Sequence, residues 1–177
     1  YGILSDRKVN VVRYGNVMGS RGSVIPYFIQ QAKTTGYLTV TDPTMTRFMI
    51  KLSEAVDLVD HVLSSSKTGC VFVQKIPSMT LHDIATSIVE PSKIRIIGAR
   101  AGEKIHEQMI GLEDAPYTFE TSKYYFIKSY NEQSNDDDEL CKKVEDGFRY
   151  SSESNSSWMS KSELTELIST GYFDTLP

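Results

Sequence analysis

Small, polar and cationic residues are concentrated between residues 16 and 23, directly after an apolar segment with the composition of a buried strand. The stretch VVRYGNVMGSRGSVIPYF, residues 11–28, contains glycines that let a ligand approach the backbone, while Asn16 and Arg21 offer hydrogen-bond donors. A helix beginning near Val24 would direct free backbone N–H groups at the same place. The pattern is typical of an anion-binding loop, and it also fits an ordinary solvent-exposed loop.

Two further polar clusters each carry an arginine. TDPTMTR, residues 41–47, lies between two short predicted strands, and RAGEK, residues 100–104, follows a predicted strand. Because ligands of open α/β sheets bind beyond the carboxyl ends of the strands, we expect both clusters and residues 16–23 to converge on one crevice. Their guanidinium groups favour a diphosphate over a neutral ligand. Taken singly, each cluster is also explained as a solvated loop, with Arg47 in a surface ion pair.

The histidines give a weaker signal than these clusters. His61 lies on a predicted helix face opposite the apolar stripe, and His82 lies in the first turn of another predicted helix, so both are expected at the surface. His106, in GEKIHE, is close to the third cluster and is a candidate only.

The composition is that of an ordinary globular protein of 177 residues, with 40% hydrophobic and 24% charged residues. A chain of this length suits one domain, with or without a small appendage. The net charge of −4 argues against nucleic acid as a main partner, because such a partner requires a positive surface. No apolar run approaches the roughly 20 residues needed to cross a bilayer, and no signal peptide is recognisable, so no membrane association is expected.

Cys70 and Cys141 have no second Cys or His at ligand spacing, so neither a zinc site nor a disulfide framework is predicted. We therefore expect a reducing, cytoplasmic location.

The chain opens with YGILSDRKVNVV, without an initiator Met, and enters a strand within a few residues. We interpret it as the downstream part of a longer protein or as a fragment.

Strand and helix patterns alternate from residue 9 to about residue 97, which predicts an α/β architecture. Ser53, Ser160 and Ser162 are predicted helix N-caps. The predicted strands span 9–14 (buried on both faces of a parallel sheet), 38–41, 45–51, 71–73 and 94–97, with aromatic strand-like sequence at 117–130; the predicted helices span 24–33, 54–63, 79–89 and 162–168. The acidic run NEQSNDDDE, residues 131–139, is expected to be a mobile surface loop.

Several motifs occur in a fixed order along the chain: VVRYGNVMGSRGSVIPYF, TVTDPTMTRFMI, VFVQKIPSM, IIGARAGEKIHE and RYSSESNSSWMS. In this order and spacing they resemble the C-terminal half of UDP-N-acetylglucosamine 4,6-dehydratases, in particular the inverting, C5-epimerising branch. These are extended short-chain dehydrogenases of polysaccharide biosynthesis. The resemblance covers most of residues 7–112, weakens over 113–147 and returns at 148–164.

The resemblance implies the C-terminal part of a Rossmann-like α/β fold with a smaller substrate-binding lobe. Residues 1–112 would contain the end of the Rossmann-like sheet and the lobe. Residues 113–177 would form a C-terminal extension of that lobe, with the acidic loop 131–139 at its surface.

The resemblance also implies which residues bind ligands. Those expected at the UDP-sugar are Asn16, Val24, Thr41, Arg100 and Glu103, with Arg100 at the diphosphate and Glu103 at the ribose hydroxyls; Arg47 is added on grounds of charge alone. The residues expected at the nicotinamide side of an NADP site are Val17, Met18, Gly19, Ser20 and Arg21. No metal ligand is predicted.

The family reaction implied by the resemblance converts UDP-N-acetylglucosamine to a 4-keto-6-deoxy sugar with inversion at C5, through NADP, for capsule or other surface-glycan synthesis. A retaining 4,6-dehydratase, a nucleotide-sugar 4-epimerase and a non-catalytic nucleotide-sugar binding or assembly module remain alternatives. By analogy with the family, a homo-oligomer is expected.

None of the family's catalytic residues matches a position in this chain. Tyr124 and Lys128 have the Tyr-x-x-x-Lys spacing, but their aromatic and β-branched surroundings predict a strand, which would place them about 13 Å apart. A helix would bring such a pair to about 6 Å. No glycine-rich dinucleotide loop follows a strand either. The chain alone is therefore expected to be inactive.

Overall fold

A computed structural model describes residues 9–129 and 141–174. Contacts divide the chain into two units, each assembled from three separate segments. The first unit comprises Tyr1–Tyr14, Leu52–Lys75 and Gln108–Ser151, and the second comprises Gly15–Lys51, Ile76–Glu107 and Ser152–Pro177. The domain boundary at residue 112 that the sequence suggests stays a prediction. The acidic run 131–139 lies outside the described residues.

The α/β class predicted from the sequence is confirmed. The helices are α1 Val24–Thr35, α2 Leu52–Ser64, α3 Leu81–Thr86 and α4 Lys161–Ser169. The strands are β1 Val11–Arg13, β2 Asn16–Val17, β3 Leu38–Val40, β4 Thr46–Ile50, β5 Val71–Gln74, β6 Ser78–Thr80, β7 Ile94–Ile96, β8 Gln108–Ile110, β9 Thr118–Glu120, β10 Tyr124–Ile127, β11 Lys142–Lys143 and β12 Tyr150–Ser151.

The first unit is built on a mixed sheet with the strand order β1-β5-β10-β9-β11. Strands β1 and β5 are parallel, and the pairs beyond them are antiparallel. Helix α2 buries Leu58 and Val62 in a cluster with Phe72 and Phe126. Tyr124 lies on β10, as predicted, so the Tyr-x-x-x-Lys spacing does not fall on a helix.

Strand β1 differs from its prediction in burial. Val9 and Val11 are 40% and 52% exposed, so the prediction that this strand is buried on both faces is wrong for these residues. Within the described residues β1 pairs with β5 alone, which leaves its other edge uncovered. Apolar composition predicts a strand, but its burial depends on which neighbours are present.

The second unit combines two small sheets around one apolar core. In one sheet β4 pairs in parallel with β2 and antiparallel with β6, and in the other β3 and β7 are parallel. Helices α1, α3 and α4 pack on the core, whose fully buried members include Leu38, Met45, Met79, Ile84 and Leu164.

The predicted helix 79–89 is wrong at both ends. Met79 lies in β6, paired with Arg47, and the helix starts only at Leu81 because the Thr80 hydroxyl accepts the Asp83 N–H at 2.9 Å. It ends at Thr86, and Pro91 follows shortly afterwards. The apolar residues that suggested a longer helix pack on the same core from a non-helical turn.

The predicted caps have different outcomes. Helix α2 begins at Leu52, so Ser53 lies inside its first turn and the N-cap prediction is wrong. Ser160 caps α4 as predicted: its hydroxyl accepts the Glu163 N–H at 3.2 Å, and the Glu163 carboxylate accepts the Ser160 N–H at 2.7 Å. Hydrogen bonds from the Ser160 side chain and backbone lower the pKa of Glu163.

Replacing Leu164 by Ala is expected to lower the free energy of unfolding by about 2–5 kcal/mol, because it leaves a cavity in the second unit's core. The matched control Leu63→Ala removes a 78% exposed side chain from α2 and should change it by less than about 0.5 kcal/mol. Urea denaturation followed by circular dichroism measures both. Equal midpoints for the two variants would contradict the packing of α4 on this core.

Candidate functional site

A cavity of about 500 Å³ lies within the second unit, and the three polar clusters predicted to converge do meet there. Asn16 belongs to the first cluster, Thr41 and Arg47 to the second, and Arg100 and Glu103 to the third, and all of them line the cavity. The N-terminal turn of α1, with Val24, forms another part of the wall. Residues separated by more than 80 positions in sequence thus share one site.

Parallel pairing of β3 with β7 brings two of these clusters together. Val40 is in register with Ile96, and the Ile97 N–H extends the ladder to the Val40 carbonyl at 2.9 Å. Both strands therefore end at the same edge of the sheet, and this places Thr41 next to the 100–104 loop. This is the geometry expected from the sequence for ligand-binding loops of an α/β sheet.

The 100–104 loop is held by its own carboxylate. Glu103 Oε2 accepts the Arg100 N–H at 3.0 Å, and the Glu103 N–H donates to the Arg100 carbonyl at 3.1 Å. Gly102 supplies the left-handed conformation of this turn, with φ +80°. The turn thereby leaves the exposed Arg100 side chain at the cavity, where no partner for its guanidinium is found among the described residues.

Asp42 shapes the loop that follows β3. Its Oδ1 accepts the Thr44 hydroxyl at 2.6 Å and the Thr44 N–H at 2.8 Å. These two hydrogen bonds lower the pKa of Asp42, and the one from the Thr44 hydroxyl has the larger effect. The local turn sets the direction in which the chain enters β4.

Strand β2 presents Asn16 through its pairing with β4. Asn16 is in register with Met49, and the Met18 N–H donates to the Ile50 carbonyl at 2.9 Å. A side chain at Gly15 would overlap Phe48 Cβ, so glycine is required for the close approach of the two strands. The small residue before Asn16 therefore serves strand packing.

Arg47 has a structural role that the sequence did not predict. Its Nη1 donates to the carbonyls of Thr46 and Ile105 at 2.8 and 3.0 Å, and its Nη2 donates to the Lys104 carbonyl at 3.0 Å. Its Nε lies 3.9 Å from a carboxylate oxygen of Glu107. Arg47 therefore ties the end of the 100–107 loop to β4, and its substrate contact stays a prediction.

Glu107 does not line the cavity, but it contacts Asn16 and Arg47, which do, and sequence reasoning missed it. One carboxylate oxygen, Oε2, accepts the Phe48 N–H at 3.1 Å. In the amide orientation that satisfies both side chains, Asn16 Nδ2 lies 2.9 Å from each oxygen of the Glu107 carboxylate. The available signal was the acidic residue directly after His106 in GEKIHE.

His106 contributes to a polar network instead of lining the cavity. Its Nδ1 pairs with the Thr46 hydroxyl at 2.8 Å, and its Nε2 lies 3.1 Å from the Glu153 carboxylate. The Thr46 hydroxyl also meets the buried Ser152 hydroxyl at 2.6 Å. This network links the tail after residue 151 to β4.

Ser23 lies in the first predicted cluster, but the sequence did not single it out as a ligand-binding residue. It precedes α1 in an extended conformation, yet its hydroxyl makes no capping hydrogen bond. The hydroxyl oxygen is buried, lacks a partner among the described residues and belongs to a residue lining the cavity. A buried, unsatisfied hydroxyl costs stability, which is the usual reason to expect a ligand contact there.

Only part of the predicted cofactor segment reaches this cavity. Val17 and Met18 line it, whereas Gly19, Ser20 and Arg21 are absent from its lining. These last residues form two consecutive turns, in which Ser20 and Ser23 donate their N–H groups to the carbonyls of Val17 and Ser20. Their contact with a cofactor stays a prediction.

The described residues contain no helix long and apolar enough to cross a membrane. The same part of the chain holds no cluster of His, Cys, Asp and Glu side chains with the geometry of a metal site. A second cavity, of about 470 Å³, lies in the first unit beside the stacked rings of His61 and Tyr124, and it contains none of the predicted site residues.

Comparison with known proteins places the chain among related sequences. The model of the family described as "Polysaccharide biosynthesis protein" matches residues 3–129. The UDP-N-acetylglucosamine 4,6-dehydratase (inverting) of Campylobacter jejuni is 41% identical over 170 residues, covering 91% of this chain and 51% of the relative. The UDP-glucose 4-epimerase of Rickettsia akari is 46% identical over 121 residues, covering 66% and 36% respectively.

A solved structure agrees with these sequence matches. The crystal structure of Pen from Bacillus thuringiensis superimposes with a TM-score of 0.78 at 35% identity, covering 93% of this chain and 50% of that one. The chain thus spans about half the length of the curated dehydratase and of this solved chain. The expected resemblance to inverting UDP-N-acetylglucosamine 4,6-dehydratases, and with it the Rossmann-like extended short-chain dehydrogenase class, is confirmed.

Replacing Ser23 by Ala is expected to leave the free energy of unfolding unchanged or slightly raised, because the lost hydroxyl makes no hydrogen bond in the protein. Thr80→Ala, which removes a cap that is made, should lower it by about 1 kcal/mol. Urea titrations of both variants measure the difference. A loss for Ser23→Ala as large as that for Thr80→Ala would show that Ser23 is an ordinary helix cap.

Proposed function

The chain belongs to the polysaccharide biosynthesis protein family, and we propose that it forms the substrate-binding part of a nucleotide-sugar dehydratase. The substrate is UDP-N-acetylglucosamine and the product a 4-keto-6-deoxy sugar with inverted C5. The observation that carries the proposal is the cavity of the second unit, where Asn16, Thr41 and Arg100 meet. The name and coverage of the dehydratase relative support the choice of reaction.

Arg100 is the residue that we assign to the diphosphate. Its guanidinium stands at the cavity, while the neighbouring Arg47 directs its donors to backbone carbonyls. The unpartnered Ser23 hydroxyl and the N-terminal turn of α1 line the same cavity and offer further donors to an anion. Glu103 and Thr41, which approach each other to 3.5 Å, provide oxygen acceptors for ribose or sugar hydroxyls.

The proposed reaction is an internal redox cycle with no net oxidation. A hydride leaves C4 of the sugar, water is lost across C5 and C6, the hydride returns to C6, and a proton is added to C5 on the opposite face. In this scheme the residues of this chain bind and orient the sugar nucleotide. We assign no catalytic residue to the chain.

NADP is the proposed cofactor, which when bound accepts and returns the hydride. Val17 and Met18 offer an apolar wall that suits the nicotinamide end. Gly19, Ser20 and Arg21 follow in tight turns, with Arg21 exposed as a cation. The chain has no glycine-rich loop for the pyrophosphate, so we assign to it only this edge of the cofactor site.

A UDP-sugar 4-epimerase is the second candidate, because the Rickettsia akari epimerase is 46% identical over 66% of the chain. The dehydratase is preferred since its similarity extends over 91% of the chain. Both relatives are named for UDP-sugars, so the cavity's ligand class is the same for either candidate. A non-catalytic nucleotide-sugar binding or assembly module would bind its ligand in the same cavity and catalyse no reaction.

The setting of the proposed enzyme follows from its substrate. We propose that it acts in the cytoplasm, as a homo-oligomer, in the synthesis of a capsule or another surface glycan. The family name, polysaccharide biosynthesis, supports the pathway class.

Arg100→Ala is expected to weaken UDP binding about tenfold or more, because it removes the guanidinium assigned to the diphosphate. Arg95→Ala is the matched control, because it removes the same charge from β7. The Arg95 guanidinium carbon lies 3.7 Å from the centre of the Tyr37 ring, and Arg95 does not line the cavity. Isothermal titration with UDP and with uridine separates phosphate recognition from base recognition. An Arg100→Ala effect equal to that of Arg95→Ala would contradict the assignment, and no UDP binding by the unmodified chain would contradict the proposed ligand class.

The 177-residue chain is expected to produce no 4-keto-6-deoxy sugar from UDP-N-acetylglucosamine and NADP. Its Tyr-x-x-x-Lys spacing begins at Tyr124 on strand β10 instead of on a helix, and its sequence has no glycine-rich dinucleotide loop. Proton NMR in deuterated water detects the product and any deuterium at C5. Full-length protein that contains this chain is the positive control, and deuterium with inverted C5 would separate the dehydratase from the epimerase. Turnover by the chain alone would show that catalytic residues lie within it.

A further inference from the structure

Glu107 joins two parts of the second unit that meet at the cavity. Its carboxylate accepts the Phe48 N–H from β4 at 3.1 Å, and in the amide orientation that satisfies both side chains it lies 2.9 Å from Nδ2 of Asn16, the first residue of β2. Arg47 Nε, 3.9 Å away, supplies a compensating positive charge. A single side chain thus contacts two strands and the guanidinium that ties the 100–107 loop.

The backbone of Glu107 is itself fixed by two hydrogen bonds with Ser152. Its N–H donates to the Ser152 hydroxyl at 2.9 Å, and its carbonyl accepts the Ser152 N–H at 2.8 Å. Ser152 is fully buried. The carboxylate is therefore anchored by protein contacts that exist without a ligand, which is the condition for preorganising a neighbouring residue.

An ionised carboxylate accepts hydrogen bonds and donates none. The Asn16 amide must therefore present its nitrogen to Glu107 and turn its carbonyl oxygen away. Because Asn16 is exposed and lines the cavity, its amide would otherwise be free to rotate or flip. Contact with Glu107 selects one orientation of the amide before any ligand arrives.

We propose that Glu107 is a positioning residue: it orients the Asn16 amide in the cavity and thereby supports sugar-nucleotide binding. This inference rests on the proposed function for its ligand, but the contact itself is a property of the free protein. Glu107 acts through Asn16, so its effect on binding should disappear when the Asn16 side chain is removed.

Glu107→Gln is the informative substitution because it keeps the size of the side chain and an oxygen for the Phe48 N–H. The new amide can donate to the Asn16 carbonyl, so the Asn16 amide loses its single preferred orientation. The expected result is about a tenfold weaker affinity for UDP-N-acetylglucosamine. Glu166→Gln, an exposed position on α4, is the matched control and should leave the affinity unchanged.

A double-mutant cycle with Asn16→Ala separates positioning from a general structural role. In the Asn16→Ala background, Glu107→Gln should weaken binding by less than about twofold, since the residue to be oriented is absent. If instead the two effects multiply, Glu107 acts independently of Asn16 and the proposal is wrong. Urea midpoints recorded for each variant show whether any loss of binding follows from loss of folded protein.

The side-chain amide signal of Asn16 tests the contact without any ligand. In a ¹H–¹⁵N spectrum this signal is identified by its loss in Asn16→Ala, and it should shift and exchange faster with solvent in Glu107→Gln. An unchanged signal would overturn the proposal whatever the binding data show. If the unmodified chain binds no UDP-sugar but the signal responds, the proposed function fails while the orienting contact stands.

Discussion

The parallel register of β3 and β7 is the constraint on which the rest of the site depends. Their pairing, Val40 opposite Ile96, ends both strands at one edge and so delivers Thr41 and the 100–104 loop to a common cavity. A shift by one residue would turn every side chain of the shifted strand to the opposite face. The apolar core beneath β3 disfavours such a shift, because Leu38 and Val40 are fully buried.

The two arginines that line the cavity differ in their contacts with the protein. A partly buried guanidinium loses solvation and needs partners, and Arg47, 16% exposed, has backbone carbonyls and Glu107. Arg100 lines the same cavity with an exposed side chain, and no partner for its guanidinium is found among the described residues. Both arginines belong to polar clusters of the sequence, but the fold gives a network of backbone contacts to Arg47 alone.

Sequence reasoning succeeded where signals are local or periodic. Helix α1, the Ser160 cap of α4 and the strand character around Tyr124 follow from nearby residues and were predicted. It failed for the helix 79–89, because a buried apolar strand residue such as Met79 reads like the first turn of a buried helix. The Thr80 cap determines that the helix starts at Leu81. This cap is recognisable only once residues 78–80 are known to form strand β6.

The sequence by itself determined the α/β class, the family and the loops that gather ligand-binding residue types, because these depend on composition, periodicity and ordered motifs. Only the tertiary structure decided how those residues are used. The Asn16–Glu107 contact joins residues 91 positions apart, and Arg47 contacts the carbonyls of residues 104 and 105 across nearly 60 positions. No local sequence pattern predicts contacts over such separations. Hydrogen bonds of this kind exist only after strand pairing has brought distant segments within about 3 Å.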